Sequence, residues 1–395
     1  METGKMLLMI PGPTNTPERI MKAMERPIIN HRGPAFHSLY KSILENLKYA
    51  FQTVNDVFPL TASGTGGVEC AVGNIIAPGD KIITAHFGVF GERLREAAVR
   101  FGGKPIDVSA EWGEAPSLER VKEALDENPD VKAIATVYNE TSTGVTWRVI
   151  QELGKLSRQH DKVFIVDAIS VLAGDRLPVD EWNVDICIAG SQKCLACPPG
   201  VSMVSVSERA YQVLRENKYR PFYFDLESCR RFAYDRMETP FTPTLTLFYG
   251  LDEALKFLKE EGLENRIERH RICAEAFYEA FDRAGLETLS KGGNRSNTVI
   301  ALWNPPGIDG EEMRKMAREE HGVAIGGGMG KLKGKCFRIG SMGIICQPYV
   351  SRTLKAVFNG LAKLGYSFPE EPSKIIADVE AKLADRLSKL PPLRL

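Results

Sequence analysis

Four short segments in this chain of 395 residues each end an apolar run on a group that could do chemistry. Residues 57–60 lead into Thr61-Ala62-Ser63-Gly64-Thr65-Gly66-Gly67. Glycines there would let backbone approach a ligand, and a helix starting just after them would offer free amides to an anion such as phosphate. Tyr138-Asn139-Glu140-Thr141-Ser142-Thr143-Gly144 follows a run ending at Val137 and supplies hydroxyls. Asp167 closes Val163-Phe164-Ile165-Val166, and a carboxylate against such a low-dielectric wall would hold a cationic partner strongly. Lys193 follows Gly190-Ser191-Gln192 at the mouth of the run 185–189. Lysines on apolar elements usually snorkel to water. One desolvated in a cleft instead has a lowered pKa and becomes an amine nucleophile suited to Schiff-base chemistry.

The elements that must position these groups read as alternating strands and helices. Residues 81–84, 131–137, 163–166, 185–189 and 201–206 are β-branched apolar runs bounded by Gly, Pro, Asn or Asp. Residues 68–76, 92–101, 118–125 and 150–159 carry apolar side chains at helical spacing, with Ser117 a candidate N-cap. This alternation predicts an α/β fold with a mostly parallel sheet between helices, whose ligands gather beyond the carboxyl ends of the strands. Helical stretches at 244–258 and 263–284 then interrupt it, followed by the polar, glycine-rich 285–297. Beyond lie strands at 298–303 and 336–339 and helices at 310–320, 351–364 and 372–390, a smaller α+β unit. Residues 1–20 are expected to form an irregular arm because of Pro11, Gly12, Pro13 and Pro17; 21–260 a large domain; and 261–395 a small one.

Composition narrows the partners. Fifty-one Lys plus Arg balance 51 Asp plus Glu, so net charge is zero, and a nucleic acid or anionic membrane held by bulk electrostatics is excluded. Any anion site must be local. No run approaches the roughly 18 apolar residues of a membrane span, and the six-residue run 6–11 is short for a signal peptide. Ser388-Lys389-Leu390 is internal and does not make the peroxisomal address. With eight scattered cysteines, the expectation is a cytoplasmic protein with reduced thiols. Cys194 and Cys197 form a lone C-x-x-C without a second pair, so no metal is expected. Glu69 stands where the dinucleotide fingerprint needs its third glycine, which removes a nicotinamide dehydrogenase. Residues 326–335 imitate a P-loop, but Ile325 replaces its first glycine and no Ser or Thr follows either lysine.

A phosphate cradle, a hydroxyl, a carboxylate and an amine nucleophile are together the parts that pyridoxal phosphate requires. At this point the chain resembles a class V, fold-type I aminotransferase. It is most similar to the serine-pyruvate, alanine-glyoxylate and serine-glyoxylate aminotransferase group. Nine motifs carry the likeness in order: PGPTNTP from Pro11, NHRGPAF from Asn30, SGTGGVE from Ser63, FGVFGER from Phe87, NETSTGV from Asn139, VDAIS from Val166, GSQKCL from Gly190, FTPTL from Phe241 and FRIGSMG from Phe337. The resemblance implies a large domain built on a seven-stranded, mostly parallel sheet plus a smaller α+β C-terminal domain, with pyridoxal 5′-phosphate as cofactor.

By the same resemblance Lys193 matches the lysine that bonds the cofactor and shuttles the substrate proton, and Asp167 the carboxylate that keeps the pyridinium protonated. Thr141 matches the hydroxyl on the cofactor's O3′. Ser63, Gly64, Thr65 and Gln192 match the phosphate contacts, and Thr239 and Thr242 those reaching the phosphate from a neighbouring subunit, which implies a homodimer with shared sites. Thr239 departs from the tyrosine common in relatives. Phe90 stands where relatives place a ring-stacking tryptophan, with Phe87 its rival and His86 out of register for the histidine of a desulfurase. Arg338 matches the arginine that grips the substrate α-carboxylate, with Gly12 and Pro13 of the arm lining the same pocket. For His31 and Arg32 a structural role is as good a reading as any other.

The implied activity is ping-pong transfer of an amino group from a small L-amino acid, serine or alanine, to a small 2-oxo acid, glyoxylate or pyruvate. Two alternatives stand beside it. A cysteine desulfurase or lyase would need a mobile, low-pKa cysteine, for which Cys336 is the nearest candidate. A non-catalytic protein of this fold would have no use for Lys193, Asp167 and Arg338 together.

Overall fold

Residues 6–393 are described by a computed structural model. Residues 1–5 of the expected arm and the last two of the chain lie outside it. In chain order the first half runs β1 (Leu7–Met9), α1 (Glu18–Met24), α2 (Pro34–Phe51), β2 (Asp56–Thr61), α3 (Gly64–Ile75), β3 (Lys81–His86), α4 (Val89–Arg100), β4 (Lys104–Ser109), α5 (Leu118–Glu127) and β5 (Ala133–Val137). A short hairpin of β6 (Asn139–Glu140) and β7 (Val145–Thr146) precedes α6 (Ile150–Gln159), β8 (Val163–Asp167), β9 (Ile186–Gly190), β10 (Val201–Val206), α7 (Glu208–Glu216), α8 (Leu226–Arg236) and α9 (Leu245–Glu261). The remainder is α10 (Leu263–Arg283), β11 (Val299–Trp303), α11 (Gly310–His321), β12 (Val323–Gly327), β13 (Cys336–Gly340), α12 (Gln347–Lys363) and α13 (Pro372–Ser388).

Seven strands form one sheet in the order β2-β10-β9-β8-β5-β3-β4. Only β10 runs against its neighbours. The central strands β5, β8 and β9 are buried along their whole length, because helices cover both faces and no residue of a run such as VFIVD meets water. Since β2, β3, β5, β8 and β9 point the same way, the segments after Thr61, His86, Val137, Asp167 and Gly190 emerge along one edge. The predicted N-cap is present: Ser117 Oγ accepts from the Arg120 amide.

A second sheet has the order β1-β12-β13-β11. Here the expected irregular arm is corrected. Leu7, Leu8 and Met9 pair in parallel with Val323, Ala324 and Ile325, burying Leu7 and Met9. The prolines restrict backbone only from Pro11 onward, so the apolar run before them is free to be a strand. Helix α1 likewise starts before residue 20, directly after Pro17. The strand β12 itself, rich in glycine, carried too weak an alternation to be read from sequence.

The apolar interior forms two main clusters that change over along α10. Leu263 packs with the large sheet, and Ile272 through Phe281 pack with the small one. At this junction Glu261 is buried between Arg266 and Arg269, the latter 2.7 Å away. Burial alone would raise the Glu261 carboxyl, and the two guanidiniums outweigh it, holding it below its ordinary range. Arg266 also donates to the Cys194 carbonyl at 3.1 Å, so the junction grips the segment next to Lys193. Removing the shared anion leaves two buried cations facing each other. Glu261→Gln is therefore expected to lower unfolding free energy by about 3–5 kcal/mol, read as a drop in the urea midpoint; an unchanged midpoint would show the triad to be energetically idle.

Candidate active site

Beyond the carboxyl edge of the large sheet lies a cleft lined by groups from several strand ends. Its walls bring together Ser63, Gly64 and Thr65 at the start of α3, Phe90 on α4, Thr141 after the β6 strand, Asp167 at the end of β8, and Gln192 with Lys193 after β9. Eight residues drawn from five separate segments thus meet at one point. Thr239 and Thr242 do not join them within one chain; they line a different cavity with Tyr223 and Phe248, where Thr239 Oγ1 donates to the Phe241 carbonyl.

Lys193 is 8% exposed, and its Nζ donates to the Pro11 carbonyl of the arm. Gly12 explains how the arm comes so near. Its φ is +89°, and a β-carbon there would stand 2.8 Å from Lys193 Nζ, so a side chain is excluded on both counts. Pro13, next in the chain, is exposed, and Thr14 then fastens the arm: its amide donates to the Gln192 carbonyl at 3.1 Å and its hydroxyl to the Lys193 carbonyl at 3.3 Å. Dehydration pushes the Lys193 ammonium down to about 8.

Asp167 is 4% exposed, and its Oδ1 accepts from the Ile169 amide at 2.9 Å. Burial, with a smaller contribution from the charge of Glu140, pushes its carboxyl up to about 7. The carboxylate is therefore paired with too little positive charge for its surroundings, the condition in which a cation from a ligand would be bound tightly.

Phe90 and Phe87 are separated by the structure. Phe87 is fully buried, edge-on to Trp147 with ring centroids 5.8 Å apart, whereas Phe90 faces the cleft. Phe90 is held from behind by Glu140, a residue that the sequence reading passed over. The buried Glu140 carboxylate accepts from the amides of Phe90 at 3.1 Å, Gly91 at 3.0 Å and Ser142 at 2.9 Å, and from Ser142 Oγ at 2.6 Å. Its position inside the motif Asn139-Glu140-Thr141 was the available signal.

Arg338, on β13, is 7% exposed and extends from the small sheet to the backbone of Thr141, behind the wall of the cleft and near enough for its charge to act on Lys193. Its Nε donates to the Gly327 carbonyl at 2.8 Å and its Nη1 to the Thr141 carbonyl at 2.9 Å. A guanidinium has five N–H groups, so three remain for a ligand. Arg93, Asn139 and Ser170 also line the cleft without having been predicted. Arg93 could have been found from its place three residues after Phe90 on one helix, which puts both on the same face.

Two observations test whether pyridoxal phosphate fits. The Gln192 amide is buried with its Oε1 end unpartnered among the described residues, and since the two ends of an amide have the same shape, turning it over presents its N–H donors to a phosphate oxygen. At Gly64 a β-carbon would stand 2.7 Å from Ile169 Cδ1, so only glycine lets the first turn of α3, with its unpaired amides, approach the cleft. The donor set and the shape both fit. Cys336, by contrast, is buried on its strand with its thiol raised to about 11 by burial, the opposite of a mobile thiolate. Among the described residues no cluster of His, Cys, Asp or Glu could hold a metal ion.

Comparison with known proteins gives one answer at each level. The family model described as aminotransferase class-V matches residues 6–335. An uncharacterized aminotransferase of Methanocaldococcus jannaschii is 40% identical over 96% of this chain and 98% of its own length. Serine–glyoxylate aminotransferase of Methylorubrum extorquens is 38% identical over 86% of this chain and 87% of its own. The solved structure of ureidoglycine–glyoxylate aminotransferase from Bacillus subtilis superposes with a TM-score of 0.90 at 30% identity, covering 96% of this chain and 99% of that one.

Only the neutral amine is nucleophilic, so reactivity of Lys193 in the protein freed of ligand should rise with pH and level off above about 8. An exposed lysine would do so near 10.4. Mass-spectrometric measurement of the labelling rate of the Lys193 peptide by a small acylating reagent checks this; a midpoint at the ordinary lysine value would show that the site does not dehydrate the amine.

Proposed function

This chain belongs to the class V aminotransferase family, and we propose that it moves an amino group from a small L-amino acid, serine or alanine, to a small 2-oxo acid, glyoxylate or pyruvate, in a ping-pong reaction. The single observation that carries the site assignment is the meeting of a dehydrated Lys193 and a charge-hungry Asp167 in one cleft, with a forked Arg338 bonded to the Thr141 backbone at its wall. Glyoxylate in the names of the relatives supports the acceptor. The small size of the donor is supported by the arm, whose Gly12 backbone stands directly over Lys193.

Bound in this cleft, pyridoxal phosphate supplies an electron sink for the bond broken at the substrate Cα. The protein's part is positioning and proton transfer. Lys193 Nζ would take the proton from the substrate Cα and deliver it to the cofactor's C4′, and its lowered pKa keeps a fraction of the amine neutral near pH 7–8 for that task. Asp167 would hold the proton on the ring nitrogen, Thr141 would supply a hydroxyl to the ring oxygen, and Phe90 would provide a flat face for stacking. Ser63, Gly64, Thr65 and Gln192 hold the phosphate. Arg338 takes the substrate α-carboxylate bidentately, its fork pre-oriented by the Gly327 and Thr141 carbonyls.

The protein is read as a homodimer with shared sites. Thr242 is exposed at its own chain's surface, and the turn carrying Thr239 is clamped by Arg32, which donates to the Thr239 carbonyl at 2.6 Å and pairs with Glu238 at 2.7 Å. That leaves Thr242 presented outward, ready for a neighbour's phosphate, whereas Thr239 is buried with its hydroxyl turned to the Phe241 carbonyl. All eight cysteines are free, in keeping with a reducing cytoplasm. No helix among the described residues is long and apolar enough to cross a membrane.

Mixing the loaded enzyme with a panel of amino donors and following the visible band of the bound cofactor tests the reading. Serine or alanine should bleach it fastest, and glyoxylate or pyruvate should restore it. Lys193→Ala should lose both the band and the transfer. Arg338→Lys should raise the donor KM by about tenfold or more, because an ammonium cannot reproduce the bidentate fork. Transfer retained by Lys193→Ala, or release of sulfide from cysteine in place of transfer, would overturn the assignment.

A further inference from the structure

Arg93 is the one guanidinium among the described residues lining the cleft, and none of the roles above uses it. Its Nη1 donates to Thr65 Oγ1 at 3.3 Å, and its Cζ lies 4.9 Å from the centroid of the Phe90 ring. Among the described residues it forms no ion pair with a carboxylate. A cation has thus been carried to the edge of a ligand site and left without an anion.

The proposed phosphate contacts have the complementary deficit. Ser63, Gly64, Thr65, Gln192, Thr239 and Thr242 are all uncharged, yet a phosphate monoester carries about −1.5 to −2 charges at pH 7. The N-terminus of α3 offers roughly half a positive charge. Lys193 donates to the Pro11 carbonyl and, on the proposed reading, would be taken up by the cofactor's aldehyde. The chain's net charge is zero, so no broad positive field makes up the difference. Partly buried anions met only by neutral donors are poorly compensated.

We propose that Arg93 is the counter-cation of the cofactor phosphate, acting beside and through Thr65. This rests on reading the cleft as the pyridoxal phosphate site. The geometry gives Thr65 a relay role, since a hydroxyl that accepts from Arg93 keeps its own O–H free to donate to the phosphate. Contact with the Phe90 face holds the guanidinium in register with the ring platform.

The test compares binding of pyridoxal 5′-phosphate with binding of pyridoxal, which lacks the phosphate, to full-length protein freed of cofactor. Both are followed by the visible band and by quenching of tryptophan fluorescence. For Arg93→Gln the affinity for pyridoxal 5′-phosphate should fall by about tenfold or more while that for pyridoxal stays unchanged. Arg93→Lys should recover part of the loss, and inorganic phosphate should compete with the cofactor less well in Arg93→Gln than in the wild type. An equal loss for both ligands, including complete loss of both, would place Arg93 behind Phe90 or in folding and overturn the proposal, as would no loss at all. If instead the wild type fails to prefer the phosphorylated ligand, or binds it equally well as Lys193→Ala, the reading of the cleft itself fails.

Discussion

Lys193 Nζ donates to the Pro11 carbonyl across 182 residues of chain, and most of the architecture can be understood as what it takes to keep that contact dry. A long flexible cation normally escapes to water. Here it emerges from the fully buried β9, is covered by the arm at Pro11 and Gly12, and has its backbone tied to Thr14 on one side and through Cys194 to Arg266 on the other. Each tie comes from a distant part of the chain. The lowered pKa is the chemical product of that enclosure, and a reactive amine at neutral pH depends on it.

Two buried carboxylates flank the same cleft, and their surroundings separate their tasks. Glu140 receives four hydrogen bonds, from three amides and a hydroxyl, so its charge is spent on local structure. Asp167 has one amide. Both are pushed upward by dehydration, but only Asp167 retains capacity to hold a ligand's N–H cation. The distinction is not one of residue type or depth. It is one of how many donors the backbone has already supplied.

The strand-end groups were legible because a parallel sheet converts sequence position into spatial position: a polar residue closing a buried run must appear at the carboxyl edge. Thr61, Val137, Asp167 and Gly190 followed that rule. Features built on short or glycine-rich segments did not. The strand β1 is too brief for alternation to identify it, and β12 is specified by its neighbours more than by its own side chains. Arg32 carried no signal of its purpose, because its partners Glu238 and Thr239 lie more than two hundred residues away. Glu140 was hidden for a similar reason: its value lies in amides of α4, which no pattern of side chains reveals.

The arm joins the two sheets by an unusually short lever. Leu7 to Met9 belong to the small sheet, where a β-carbon on Gly340 would come within 2.1 Å of the Ile10 carbonyl, and five residues past Met9 Thr14 is bonded to the Lys193 backbone. Arg338 belongs to the same small sheet and is bonded to Thr141. The Arg338 guanidinium and the cover over Lys193 are therefore both attached to the small sheet, the first directly and the second through a few residues of the arm. Glycine permits both links: at 340 a β-carbon would meet the Ile10 backbone, and at 12 it would meet the Lys193 side chain. If Arg338 grips the substrate carboxylate as proposed, substrate binding and enclosure of the amine share one support, the small sheet.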